Sequence, residues 1–532
     1  MIKKVLLIEP PVTRPSDFDK KKVRLGILPP LGLAYIAAVL QKSDIEVKII
    51  DCLIEGNMEG TQYGSDQIRY GLSDSQIEKE IQIFSPDKVG ISCLFSAKEF
   101  DLINVCKIVK KVNPNIITAC GGAHPTAMYN SLLKDPNLDY VIFGEGEYTT
   151  QKLIDTINSK NDLSQVDGIA YKENGIIKVN PKTHYIENLD ELPLPARHLL
   201  KMDKYLKSNS PHSGIKRMPF TSMVTSRGCP NKCSFCVIKI LWGQKVRYRS
   251  PENVLMEIED LINTYNIKEI HFEDDNFSAN KKRTKTILQG IIDKGWDLTL
   301  SSPSGLAIHA LDEELLSLMK KAGYYSISLA IESGDEDVLK MMHKPVKLKK
   351  VKEIIKNARK YDLKTKGFFI LGYPGETKEQ MQRTIDFAKN ANLDWAIFFM
   401  ATPIPGSDLE KMCREKGYLV NNSIDYIRQF YKSGINTPEF TPEYIENTRE
   451  HANFMINFEN NSNIRLGNYD RAIEDFKEVT SLYPHLDFAH YYLGVAYEKC
   501  GNRQSAVNEF EIVLKLNPNY EDAKKHLITC QK

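Results

Sequence analysis

Short apolar runs alternate with longer amphipathic stretches through most of this chain. In the first third, Lys4-Val5-Leu6-Leu7-Ile8 reads as a buried strand, Leu31 to Lys42 as an amphipathic helix, and Val47 to Asp51 as the next strand. Val89 to Ser92, Ile116 to Ala119 and Tyr140 to Phe143 continue the series. Strands of this kind alternating with helices predict a parallel, doubly wound sheet, Rossmann-like in architecture, over residues 1–150. In such a sheet the ligand crevice lies beyond the carboxyl ends of the strands. The unusual residues gather there: Pro10-Pro11, Ser92, Gly121-Gly122-Ala123-His124-Pro125 and Gly144-Glu145-Gly146-Glu147.

After an inter-domain segment, 151–215, the alternation resumes in longer units. Strands are predicted at Phe220–Ser226, Lys268–Phe272, Leu298–Leu300, Ser326–Ile331, Gly367–Leu371 and Ala396–Met400, with helices such as Asn253–Tyr265 and Lys378–Asn390 between them. Six such units over 216–440 fit a partial (β/α)6 TIM barrel. Polar residues follow each strand, where barrel enzymes place their chemistry. They include Glu273-Asp274-Asp275-Asn276, Ser301-Ser302, Glu332-Ser333-Gly334 and Gly372-Tyr373-Pro374-Gly375-Glu376-Thr377. For any one of these carboxylates, Glu376 above all, a helix N-cap is the competing role.

A third pattern closes the chain. Gly467 and Gly501, Ala472 and Ala506, Phe476 and Phe510, and Pro484 and Pro518 each stand 34 positions apart, the tetratricopeptide period. Two α-helical repeats are expected at about 453–520 within a tail of 441–532, with Asp522–Cys530 as a capping helix. The first copy is the weaker, with Glu459 where a leucine belongs. Two repeats fall short of the usual three, so the tail is expected to pack on the barrel or on a helix from about 440 to 458. Partner binding and a structural cap are both open.

Composition narrows the class. The 71 basic and 69 acidic side chains balance, which gives no sign of a nucleic-acid or membrane surface. No apolar run approaches the length of a membrane span, and the first strand is too short for a signal peptide. Seven of the ten cysteines lie scattered, mostly in apolar contexts, and read as buried free thiols of a cytoplasmic protein.

The other three stand together in Gly228-Cys229-Pro230-Asn231-Lys232-Cys233-Ser234-Phe235-Cys236. A [4Fe–4S] cube usually takes four cysteines, so three leave one iron open. Zinc would want a fourth N/S ligand, and the next cysteine is Cys413. The motif, with Phe235 before the third cysteine, resembles the radical S-adenosylmethionine (SAM) family. That resemblance implies Cys229, Cys233 and Cys236 as cluster ligands, SAM on the open iron, and a 5′-deoxyadenosyl radical fed by an external one-electron reductant. It also implies SAM contacts at Phe235, Asp274 (first choice), Asp275, Ser301, Glu332, Ser333, Gly372 and Glu376.

Pro29-Pro30-Leu31-Gly32-Leu33, the Gly-Gly-x-His-Pro loop, the Gly-Glu-Gly-Glu turn and Glu191-Leu192-Pro193-Leu194-Pro195-Ala196-Arg197 are similar to the B12-binding-domain subfamily of these enzymes. The implied cobalamin contacts are Pro10, Pro11, Pro30, Leu31, Gly32, Ser92, Gly121, Gly122, His124, Pro125, Gly144, Glu145 and Gly146. An Asp-x-His-x-x-Gly motif for a lower axial histidine is absent. His124 is therefore expected to be a loop histidine satisfied by backbone rather than a cobalt ligand. The resemblance implies methylation of an unactivated carbon on a small-molecule or peptide substrate. The alternatives are a cyclase or rearrangement enzyme with the same cofactors, and a non-catalytic sensing module. No catalytic side chain and no substrate is named by the sequence.

Overall fold

The computed structural model describes residues 1–16, 25–208, 214–420 and 432–531. Seven strands form the N-terminal sheet: β1 (Lys4–Glu9), β2 (Glu46–Asp51), β3 (Lys88–Ser92), β4 (Ile117–Gly121), β5 (Tyr140–Ile142), β6 (Ile169–Glu173) and β7 (Ile176–Asn180). Their order is β7-β6-β5-β4-β3-β1-β2, parallel from β2 to β5 and antiparallel through β6 and β7. Val5, Leu6, Leu7 and Ile8 are all buried, because helices cover both faces of a parallel sheet. Strand order reverses between β1 and β3, which puts the crevice at Pro10-Pro11 and Ser92-Cys93. The hairpin β6–β7 falls in the segment expected to be a linker. It belongs to the sheet because Ile169, Ala170 and Tyr171 are buried there. A small antiparallel sheet of Val12–Pro15, Asn57–Tyr63 and Gln67–Gly71 was not legible in the pattern.

The barrel strands are β8 (Phe220–Met223), β9 (Glu269–Phe272), β10 (Thr299–Ser301), β11 (Ser326–Glu332), β12 (Lys364–Leu371) and β13 (Trp395–Met400). They pair in parallel as two trios, β8-β9-β10 and β11-β12-β13, joined by bridges at Leu300–Tyr324 and Leu306–Leu329. Along β12 burial alternates residue by residue, the signature of one face on the helices and one on the lumen. Phe369 meets the helix residue Phe387, while Phe368 pairs with Phe399 on the opposite, lumenal side.

Among the described residues the outer edge of β13 carries no seventh strand. Two asparagines of the following helical segment pair with its backbone instead. The Asn457 amide accepts from Ala396 N–H at 2.8 Å and donates to Ala396 C=O at 2.6 Å. Asn453 does the same at Phe398, at 3.0 Å each way. This satisfies the edge groups that would otherwise template aggregation. The segment runs Pro442–Phe454, then a π-helical turn Met455–Glu459, then Ser462–Arg465, so the first repeat's leading helix is broken at Glu459. The remaining helices, Tyr469–Leu482, Asp487–Lys499, Arg503–Leu516 and Glu521–Gln531, form the repeats and cap. Arg471 and Lys364 tie the first repeat to the barrel through Asp394 and Asp475. Of the scattered cysteines six are buried and Cys500, at a helix end, is exposed. Among the described residues no helix is long and apolar enough to cross a membrane.

Candidate active site

The cysteine loop leaves the carboxyl end of β8 and is stapled to the barrel on several sides. Ser234 N–H donates to Met342 C=O at 3.0 Å, its hydroxyl pairs with Tyr373 at 2.7 Å, and its carbonyl accepts from Leu409 N–H at 2.8 Å. Phe235 packs against the barrel core. Cys233 is buried and Cys229 and Cys236 half-buried. Burial pushes the Cys233 thiol up to about 11, against the pull of the nearby Lys344 ammonium. Lys344 is itself paired with Glu332 at 2.9 Å. Glu332 ends β11 with φ +71°, next to a register shift in the strand; non-glycine residues held in this conformation concentrate at functional sites. The buried Asn276 donates its amide N–H to Cys229 Sγ at 3.8 Å, while its carbonyl oxygen has no partner. Lys344 was missed by sequence reasoning, since it lies in no spaced motif; Asn276 stood in the polar run after β9 but was given no role.

Other strand ends divide into two groups. Asp274, named first for SAM, is buried with both oxygens committed: it accepts from Thr225 N–H at 2.7 Å, Thr225 hydroxyl at 2.6 Å and Ser226 hydroxyl at 2.5 Å. It fixes the strand leading into the cysteine loop. Ser333 is likewise engaged, by Thr384 of the helix Lys378–Asn390 and by Asp335 N–H. Asp275 and Glu273 stay half-buried at the mouth. Burial raises Asp275 to about 6 even with Gly228 N–H donating to it. It raises Glu273 to about 7. Glu376 is not a helix cap; Thr377 caps that helix in a box with Gln380. One Glu376 oxygen accepts from Gly372 N–H (2.8 Å) and Tyr373 N–H (3.1 Å), the other is buried without a partner, and burial raises the group to about 8. Ser301 is buried beside the Tyr325 hydroxyl.

On the sheet side, Pro10, Pro11 and Ser92 line the switch point, with Gly121 and Gly122 on the neighbouring strand end. Gly122 has φ +117°, and a Cβ there would lie 2.6 Å from Cys93 C=O. Leu94 and Phe95 follow Ser92 and are 53% and 65% exposed, large apolar side chains left uncovered at the rim. His124 sits in a helix with Pro125, not in a loop, and both its ring nitrogens are engaged, by Ser96 at 2.9 Å and Glu99 at 2.8 Å. Side chains, not backbone, satisfy it. Pro30 precedes the helix Leu31–Gln41, Leu31 packs beside Ile186, Leu189 and Leu192, and Gly32 is exposed. Glu145 points into the barrel. It accepts from Arg227 at 2.7 Å, from Arg247 at 2.6 Å and from Ile186 N–H at 2.8 Å. Its neighbour Gly144, at φ +59°, passes so close to the helix Ile238–Trp242 that a Cβ would meet Leu241 C=O at 2.6 Å.

Family models place a radical SAM superfamily domain at residues 223–388, a B12 binding domain at 22–154, and tetratricopeptide repeats at 461–486 and 487–520. The chain is 38% identical over 443 residues to a cytidylyl-2-hydroxyethylphosphonate methyltransferase of Streptomyces wedmorensis, covering 77% of this chain and 82% of that one. The chain belongs to the B12-binding branch of the radical SAM superfamily. An uncharacterized methyltransferase of Pyrococcus horikoshii is 36% identical over 409 residues, with the same coverage. The fold is also that of the cobalamin-dependent S-adenosylmethionine radical enzyme OxsB, solved with aqua-cobalamin and S-adenosylmethionine bound, at a TM-score of 0.67 and 16% identity over 99% of this chain and 83% of that one.

The residues present fit the groups a radical SAM protein of this branch holds. Three thiols on one stapled loop, with an amide N–H on one sulfur, suit a cluster with an open corner. Among the described residues no three His, Cys, Asp or Glu side chains converge on a single metal ion. The uncovered Leu94 and Phe95 beside a glycine-bearing strand end suit a broad, largely apolar corrin face, and both ring nitrogens of His124 are already engaged.

Proposed function

We propose that this radical SAM protein is a cobalamin-dependent methyltransferase acting on an unactivated carbon of a small molecule. When bound, the cluster would supply the electron that cleaves SAM and the corrinoid would carry the methyl group. Cys229, Cys233 and Cys236 hold the cluster. Asp275, Glu273 and the Lys344–Glu332 pair offer polar groups of both signs to the amino-acid end of SAM, and the Gly372 loop, braced by Glu376, borders its nucleoside. Asp275 takes the part first given to Asp274. Pro10, Pro11, Ser92, Gly121 and Gly122, with Leu94 and Phe95, border the corrinoid; Glu145 and His124 do not. An external one-electron reductant is required, and the repeats offer a surface for a protein partner. A cytoplasmic location suits free thiols and an oxygen-sensitive centre.

One observation carries the reading: Arg227, two residues before Cys229, pairs with Glu145 and Glu147 just after β5, which anchors the cysteine loop at the carboxyl-end side of the sheet and supports one shared site. The test is anaerobic reconstitution with iron, sulfide and hydroxocobalamin, then assay of 5′-deoxyadenosine and S-adenosylhomocysteine over a substrate panel. About four irons and one cobalt per chain, with both nucleosides formed, is the expected result. Iron without cobalt overturns it. Deoxyadenosine alone in the presence of a consumed substrate turns the reading to cyclisation or rearrangement.

A further inference from the structure

The two carboxylates of the Gly-Glu-Gly-Glu turn are engaged by the barrel rather than left free for a ligand. Glu145, Glu147, Arg227 and Arg247 are all buried to 5% exposure or less. Arg227 donates to Glu145 and, at 2.5 Å, to Glu147, and Arg247 donates to Glu145. Arg227 and Arg247 are cross-strand partners in the two-residue ladder that opens the cysteine loop. The carboxylates sit where β5 passes into the helix Glu147–Asn158. Two carboxylates of the sheet domain and two guanidiniums of the barrel thus form one dry, fork-shaped joint at the base of the cysteine loop. Bidentate and charge-assisted contacts of this type fix orientation as well as supplying energy.

We propose that this joint sets the distance between the corrinoid and the cluster: Glu147 and Arg227 are positioning residues for methyl transfer, not ligands of either group. The inference rests on the function proposed above. SAM then has two fates that need different parts of the protein. In one, an electron from the reductant breaks the sulfur–C5′ bond, leaving methionine and, after the fragment takes a hydrogen atom from a buffer component, 5′-deoxyadenosine. That reaction needs only the barrel. In the other, the methyl group passes to the reduced corrinoid, which supplies both electrons of the new bond, and S-adenosylhomocysteine remains. That reaction needs the sheet held over the barrel.

The test uses full-length protein reconstituted with iron, sulfide and hydroxocobalamin and reduced with titanium(III) citrate, comparing wild type with Glu147→Gln and Glu147→Asp. Expected in Glu147→Gln are full iron and cobalt and 5′-deoxyadenosine formation within about threefold of wild type. S-adenosylhomocysteine formation should fall about tenfold or more, as a misplaced partner predicts. Pulsed EPR between cob(II)alamin and the reduced cluster should change from a narrow to a broad distance distribution, and Glu147→Asp should recover part of both losses. The inference is overturned if both reactions fall in parallel with cofactor content, or if neither falls and the distance stays narrow. Wild type that takes up iron but no cobalt would overturn the proposed function, and this inference with it. Wild type carrying both, with unresponsive variants, overturns the inference alone.

Discussion

The carboxylates at the strand ends of the sheet domain and those at the mouth of the barrel occupy equivalent places in their folds and have opposite fates. On the sheet, Glu145 and Glu147 are consumed by arginines from the barrel. A second joint of the same kind links Arg197 to Glu257, which Arg249 also grips. At the mouth, burial raises Asp275, Glu273 and Glu376 toward their neutral, protonated forms. A carboxylate whose charge is matched within the protein holds the architecture together. One in which desolvation outweighs its partners is driven toward the neutral acid.

That contrast can be broken by experiment. Replacing Cys229, Cys233 and Cys236 together by Ala should reduce iron and 5′-deoxyadenosine to background while cobalt uptake persists, since no sheet contact is lost; metal analysis decides it. Glu257→Gln should destabilise the protein by about 3–5 kcal/mol in denaturant unfolding, because two buried guanidiniums lose their counter-charge. Glu376→Gln should do the reverse, and in a pH-dependent way. The folded group keeps its proton up to about pH 8, whereas the unfolded group loses it near its ordinary value. Wild-type stability therefore drains away as pH rises between these two values. The Gln variant lacks that loss and should lead by something on the order of 4 kcal/mol at pH 8, and by less than about 1 kcal/mol at pH 5. A lead that does not grow with pH would place a matched charge beside Glu376. The smallest effect is expected for His124→Ala: about 1–2 kcal/mol of stability for its two hydrogen bonds, with cobalt content unchanged. Lost cobalt would return His124 to the corrinoid.

Most of the architecture was legible because it rests on period and punctuation. A buried run such as Val5–Ile8 is a consequence of both faces being covered, and a 34-residue period needs no structure to be seen. The cysteine loop was equally plain, since its chemistry is local. What could not be read were partnerships between distant positions. Nothing in Gly144-Glu145-Gly146-Glu147 announces Arg227, and nothing in Glu332 announces Lys344. Asp274 and Asp275 are neighbours with the same side chain, and only the fold turns one onto Thr225 and leaves the other at the mouth. Glu376 looked like a cap because it precedes a helix, but Thr377 with Gln380 made the better one and released it.

The amides of Asn453 and Asn457 on the edge of β13 make the tail something other than an appendage. Because side chains of that helical segment complete the ladder, the barrel's integrity is written into sequence that lies beyond the barrel. Truncations that end before Asn453 should yield a sticky, strand-exposing core, whereas a cut after Leu466 keeps both amides and gives up the repeats with the Arg471–Asp394 and Lys364–Asp475 ties.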